Sequence, residues 1–336
     1  MHAPFDGPFA DDHFFHVTPD EVDGLVAELG ALGVACLKAD LFPQHVGRHV
    51  YALTLTDADV DLAGKKGLFV SRPHAHEPAG TAACAELVKA LAGYGEYGGK
   101  FEAWRREMLR DFVLTVVPDA NPGGSQRAPV KFWDGSEIPN ERFFLWMFGE
   151  SGEKPGERFP RLDAWDMRKV TPPALLGIAY EQIDDHTYVE PNRDTRSTFF
   201  RSFFELDREH HYDVWLDVHQ TEFLNSDRNA EVHLPTCHDD LPAAMQQRHQ
   251  SLGDAIHERW RREGARPRPE PAVPYRTNET QRTFLSRVWR PISERMVHVV
   301  TEVQNNNHRT PVGMQVYLEM VAILETLEWM KGMGRA

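Results

Sequence analysis

Short apolar runs that break off abruptly into polar clusters recur along this chain, with helical stretches between them. That alternation restricts the fold more than any other feature. Residues 50–55, 67–71, 112–117, 213–218 and 296–303 read as strands. Thr18-Pro19-Asp20-Glu21 is a capping box with proline at the first helical position, and Val22, Leu25, Val26, Leu29 and Leu32 follow at helical spacing. Residues 79–91 and 241–263 also read as helices, and Thr310-Pro311 opens a last one. The pattern predicts an α/β fold: one domain over 1–336, with a central mixed, mostly parallel, twisted sheet flanked by helices. Ligands in such sheets gather at the carboxyl ends of strands, and the polar clusters of this chain lie at such ends.

Residues 128–173 keep neither period and are rich in Phe, Trp, Pro and Gly. A stretch of this length reads as an insertion or lid within the domain. Its aromatics Trp133, Phe143, Phe144, Trp146 and Trp165 would pack in the core by default, or else cover a cleft or form a subunit contact.

Composition removes several classes of function. With 37 basic and 51 acidic residues the net charge is −14, which argues against a general nucleic-acid or anionic-membrane binder. No apolar run is long enough for a transmembrane helix, and residues 1–12 lack the pattern of a signal peptide. Cys36, Cys84 and Cys237 are odd in number and far apart, so no disulfide framework is expected. The expectation is a reduced, cytoplasmic protein.

The strongest chemical signal is His74-Ala-His-Glu77, placed where a strand runs into a helix. An imidazole and a carboxylate three residues apart on such a turn can converge on one ion, and both suit Zn²⁺ at roughly 2.0–2.2 Å. A third ligand must come from elsewhere. The strand 213–218 runs into His219-Gln220 and supplies one. Two histidines and a glutamate leave a fourth position for water, as catalytic zinc sites do. A rival reading pairs His74 with His76, as amidohydrolase barrels do, but it requires later His and Asp ligands on successive strands.

Five motifs stand in a fixed order: His74-Ala-His-Glu-Pro-Ala-Gly80, Pro118-x-x-Asn-Pro-Gly-Gly124, Glu190-Pro-Asn-Arg193, Asp217-Val-His219 and Thr301-Glu302. In that order the sequence resembles the M14 zinc carboxypeptidases from about residue 50 to 330, and it is also related to the succinylglutamate desuccinylase and aspartoacylase type. The resemblance implies one Zn²⁺ per chain held by His74, Glu77 and His219. Glu302 would be the proton shuttle, and Asn192 and Arg193 would bind the substrate's terminal carboxylate. The chemistry of these residues agrees. A carboxylate where an apolar strand meets a polar loop tends towards a raised pKa, and a guanidinium makes a two-pronged contact with a carboxylate. Arg127 is the candidate for steadying an oxyanion, with Lys131 or another arginine of the insertion as substitutes. Tyr275 resembles the family's mobile tyrosine. Glu319 is a competing carboxylate, expected to face solvent.

The chain departs from the family pattern in places. Gly123 stands where Asp is usual. Glu190 replaces the Asp that buttresses a zinc histidine, although it can accept the same imidazole N–H. Gln220-Thr221-Glu222 follows His219 instead of a small hydroxyl residue, and 121–192 is long. Arg276, Arg282, Arg287 and Arg290 either form a basic pocket for acidic side chains or a solvated face. The expected activity is hydrolysis of a carboxyl-terminal peptide bond or of an amide beside a free carboxylate. The alternatives are an N-acyl amino acid deacylase and a non-catalytic zinc-binding protein. Expected partners are a peptide or N-acyl amino acid, with no nucleic acid and no membrane; the oligomeric state is not legible.

Overall fold

The computed structural model describes residues 4–150, 161–169, 175–224 and 226–333. Its main sheet has seven strands: β1 (Leu37–Pro43), β2 (His49–Leu55), β3 (Lys66–Ser71), β4 (Phe112–Val117), β5 (Val214–Thr221), β6 (Ala230–His233) and β7 (Val297–Gln304). The spatial order is β1-β2-β4-β3-β5-β7-β6. The centre, β4-β3-β5-β7, is parallel, while β1, β2 and β6 join antiparallel at the flanks. The sheet is therefore mixed with a parallel core, as the alternation of strands and helices predicts.

Strand parity assigns the two faces. Leu68, Val70, Val214, Leu216, Val218, Val297 and Val299 point into a core shared with the helices Pro19–Ala31, Pro78–Ala92, Ala243–Arg262 and Val312–Gly332. Phe69 and Trp215 point the other way, against the helices Thr198–His210 and Glu279–Ser293. Asp217 and His219 share the parity of Trp215, and His298, Val300 and Glu302 lie opposite to Val297 and Val299. Asp217 and His219 of β5 and His298 and Glu302 of β7 thus belong to this second face, while Gln220 and Thr301 meet the helices on the first. The apolar residues on the opposite parity anchor the strands, so one face can carry chemistry without emptying the core.

The chain leaves β3 towards β4 on one side, while β5 lies on the other. The loop after β3 and the end of β5 therefore border the crevice where the strand order reverses. Arg72, 1% exposed, fixes that loop. Its Nε donates to Thr81 Oγ1 at 2.8 Å, and Nη2 lies 3.0 Å from Asp119 Oδ2. Gly80 lets the next helix sit close: a Cβ there would meet Arg72 Cγ and Val218 Cγ2 at 2.9 Å. No described helix is long and apolar enough to cross a membrane.

Candidate metal centre and cleft

His74 and Glu77 lie on the turn between β3 and the helix Pro78–Ala92. Glu77 is that helix's N-cap residue, yet its side chain makes no capping bond. Gln220 supplies one instead, its Oε1 accepting from Ala79 N at 2.9 Å. The departure at position 220 thus has a structural use, since it frees the Glu77 carboxylate to turn towards the histidines. His74 Nδ1 lies 3.0 Å from Glu77 Oε1 and 3.1 Å from His219 Nδ1. His219 Nδ1 is 3.2 Å from Glu77 Oε2. All three residues are buried.

These distances fit a small divalent cation. Donors 2.0–2.2 Å from a tetrahedral centre are about 3.4 Å apart, slightly wider than the gaps present. The far ring nitrogens are occupied by carboxylates: His219 Nε2 is 2.8 Å from Asp217 Oδ2, and His74 Nε2 is 3.1 Å from Glu190 Oε1. A ring that gives its proton to those carboxylates turns a lone pair to the centre, as metal-bound histidines do. Without a cation, two lone pairs and a carboxylate repel. Burial would lower the pKa of His219, but Glu77 and Asp217 outweigh it and hold the imidazole well above its ordinary value. The pocket attracts positive charge, and the donor set suits zinc.

Glu302 stands beside His219 in the β5–β7 register. Burial pushes its carboxyl up to about 7, Oε2 has no hydrogen-bond partner among the described residues, and Oε1 is 3.8 Å from His233 Nδ1. One cavity of 530 Å³ is lined by the three donors, Glu302, Asn192, Arg193 and Tyr275. Arg193 Nη2 donates to the Tyr275 hydroxyl at 3.2 Å and Nη1 to Gln281 Oε1 at 3.1 Å. Tyr275 holds a φ of +59°, a sparsely populated conformation of the kind that clusters at ligand sites. Glu190 ties the parts together, because Arg161 Nη2 and Arg193 Nε lie 2.6 and 2.9 Å from its oxygens. Burial opposes its ionisation, but the two arginines hold its carboxyl well below the usual range.

Arg127 does not join them. Its Nη1 donates to Gly123 O at 2.8 Å, and Nη2 donates to Gly177 O and Tyr180 O at 3.1 Å. It does not line the cavity. The reading of Arg127 as an oxyanion donor is corrected: it clamps two loops. Arg127→Met is expected to cost roughly 1–3 kcal/mol of stability, read from denaturant unfolding, with turnover per folded molecule unchanged. Arg161, from residues 128–173, does line the cavity, beside Arg193 and Arg228.

Glu319 is also corrected. It is fully buried behind β7, where its Oε2 accepts from Thr301 Oγ1 at 2.7 Å. Burial holds its carboxyl well above the ordinary range. As pH rises past the unfolded value of about 4.3, the unfolded chain ionises while the folded one keeps its proton, so stability falls. Glu319→Gln in the metal-free protein is expected to gain melting temperature relative to the parent between pH 5 and pH 8.

The four arginines before Glu302 take the plainer of their two readings. None lines the cavity. Arg276 and Arg290 pair with Asp239 and Asp240 at 3.0 Å, and Arg282 and Arg287 border a separate depression with Arg290. Phe144, Met147 and Phe148, within residues 128–173, form a cavity wall, while Trp133 and Phe143 pack beneath it. Residues 151–160 and 170–173 of that stretch lie outside the described residues.

Sequence reasoning gave no role to His233, His298 or Asp217, the last quoted only within a motif, and reached Arg161 only as one of the arginines of 128–173; all four line the cavity. For Asp217 and His298 the signal was available, since both share strand parity with a named residue. His76 stacks on His74 with ring centroids 5.1 Å apart and is not one of the three converging donors. The rival pairing of His74 with His76 as ligands therefore fails.

The fold is that of the metallocarboxypeptidases. A metallo-carboxypeptidase from Burkholderia cenocepacia aligns over 93% of this chain and 69% of its own, with a TM-score of 0.57 and 14% identity. Thrombin activatable fibrinolysis inhibitor aligns over 95% of this chain and 75% of its own, with a TM-score of 0.57 and 10% identity. The Pseudomonas aeruginosa metallo-carboxypeptidase, solved with (2-guanidinoethylmercapto)succinic acid, gives a TM-score of 0.51 at 12% identity, over 92% and 69% of the two chains. No protein-family model matches the sequence, and no curated protein matches it.

Proposed function

We propose that this protein is a zinc-dependent hydrolase that removes the carboxyl-terminal residue of a peptide. One observation carries the reading. Three donors spaced for a cation, a half-buried carboxylate with one oxygen unpaired among the described residues, and a guanidinium suited to a carboxylate line the same cavity. His74, Glu77 and His219 would hold the ion, which when bound supplies Lewis acidity and makes a water nucleophilic near neutral pH. Glu302 would accept a proton from the attacking water and deliver it to the leaving nitrogen. Arg193, through its guanidinium, and Asn192, through its side-chain amide N–H, receive the terminal carboxylate, both residues lining the cavity. Tyr275 lines the same cavity beside Arg193, its hydroxyl accepting from the guanidinium. Arg161 is the cation offered to the developing oxyanion, a role in which such charges contribute strongly.

The test is a screen of peptides and N-acyl amino acids with product mass detection, with and without a chelator, beside a zinc assay. Release of single carboxyl-terminal residues by protein holding one zinc per chain, abolished by chelation, is the expected result. Cleavage of N-acyl amino acids alone would replace the peptidase reading with a deacylase. Zinc binding without any turnover would reduce the protein to a metal-binding one.

A further inference from the structure

At one flank of the main sheet two carboxylates stand face to face. β6 runs antiparallel to β7, and Glu231 is the Cα partner of Glu302. Like charges directly opposite one another destabilise a sheet, so this pair needs something between its members. His233 lies two residues on from Glu231, on the same face of β6, with Val300 as its own partner. From that diagonal position it meets both carboxylates. Its Nε2 is hydrogen-bonded to Glu231 Oε1, and its Nδ1 lies 3.8 Å from Glu302 Oε1. All three residues line the cavity.

The two contacts differ in kind. Glu231 is buried; Arg228 Nη1 donates to its Oε2 at 3.0 Å, and Arg268 Nη1 stands 3.9 Å from the same oxygen. Burial opposes its ionisation, but His233 and these arginines hold its carboxyl below the ordinary range. An ionised carboxylate only accepts, so Nε2 carries the proton of that bond and the ring is anchored by it. β6 is pinned along its outer edge, where Ala272 N donates to Val232 O at 2.9 Å and Leu234 N to Ala272 O at 2.8 Å. Glu302, by contrast, has His233 as its one basic partner among the described residues, and its Oε2 has no hydrogen-bond partner among them. At 3.8 Å the contact is longer than a hydrogen bond, and contacts of this kind tighten when substrate binds. A ring protonated at both nitrogens donates to a carboxylate on each side. It engages one oxygen of Glu302 and leaves the other free.

We propose that His233, anchored by Glu231, is a positioning residue that holds Glu302 by one oxygen so that the other meets the attacking water. The inference rests on the hydrolase reading for what Glu302 does, but not for the contact itself. Two amides separate the ring's nitrogens: His233→Gln places its N–H near Nε2 and loses the contact with Glu302, whereas His233→Asn places its N–H near Nδ1 and gives up Glu231. In the zinc-loaded protein His233→Gln is expected to lower kcat by up to about a hundredfold, the cost of a small misplacement at a reacting group, with KM and zinc content unchanged. His233→Asn is expected to recover most of that loss. In the Glu302→Gln background, His233→Gln is expected to cost nothing further, because a residue that acts through another is not additive with it. The contact is also read without turnover, from the ring nitrogen NMR signals of the zinc-loaded protein. Those of His233, identified by their loss in His233→Asn, are expected to move in Glu302→Gln. Equal kcat in the two amide variants, a rise in KM in place of the fall in kcat, a full further loss in the Glu302→Gln background, or ring signals indifferent to position 302 would each overturn the proposal. Absence of turnover in the parent would remove the hydrolase reading, and the ring signals would then decide the contact alone: movement keeps it, and none overturns it.

Discussion

Glu302→Gln is expected to lower kcat by about 10²–10⁴-fold, the usual worth of a positioned proton shuttle, with zinc content still at one per chain. The amide keeps the shape and burial of the carboxylate but cannot take a proton. Position 302 is beside the donor triad without belonging to it, so metal binding and proton transfer separate in this one variant. Turnover within threefold of the parent would remove Glu302 from the mechanism. The same residue sets a pH limb. Its carboxyl must be ionised to accept a proton, and burial pushes it up to about 7. A cation nearby favours the ionised form and pulls that value down. Below pH 7 kcat/KM is therefore expected to fall, with a midpoint between the ordinary carboxylate value of about 4.3 and 7. A limb of the same midpoint in Glu302→Gln would assign it to another group.

His219→Ala is expected to abolish zinc binding. It leaves His74 and Glu77 as the only remaining members of the converging group, too few to fix the ion. Zinc bound at a thousand times its dissociation constant stabilises the folded state by about 4 kcal/mol, and the variant forfeits that gain. Added zinc should raise the melting temperature of the parent and leave the variant unmoved. Asp217→Asn gives a graded version. It weakens the acceptor 2.8 Å from His219 Nε2, and such changes cost about 10–100-fold in metal affinity. Full zinc content in His219→Ala would mean that the ion sits elsewhere.

The central strands were legible because buried parallel strands are continuous apolar runs that end where the chemistry begins. The edge strand β1 was not, because Leu37–Pro43 carries Lys38 and Asp40 on an exposed rim and has no apolar run. β6 has only four residues, too few for periodicity to register. The donor positions could be read from spacing, since two ligands share a turn and the third closes an apolar strand. Arg127 could not be judged that way. Its position in the motif order is right, and only the backbone carbonyls around it show where its guanidinium goes. Arg161 was hidden for the opposite reason: it lies in an insertion with no period and reaches the cavity from far along the chain.

Glu190 faces His74 on one side and Arg161 and Arg193 on the other. When a ligand carboxylate engages Arg193, part of the positive charge that Glu190 answers is neutralised, and more of that side chain's negative charge acts on the imidazole. An ion at the triad and a ligand at Arg193 would in this way be thermodynamically linked through a single carboxyl group, and linkage is reciprocal: whatever tightened one equilibrium by a given factor would tighten the other by the same factor.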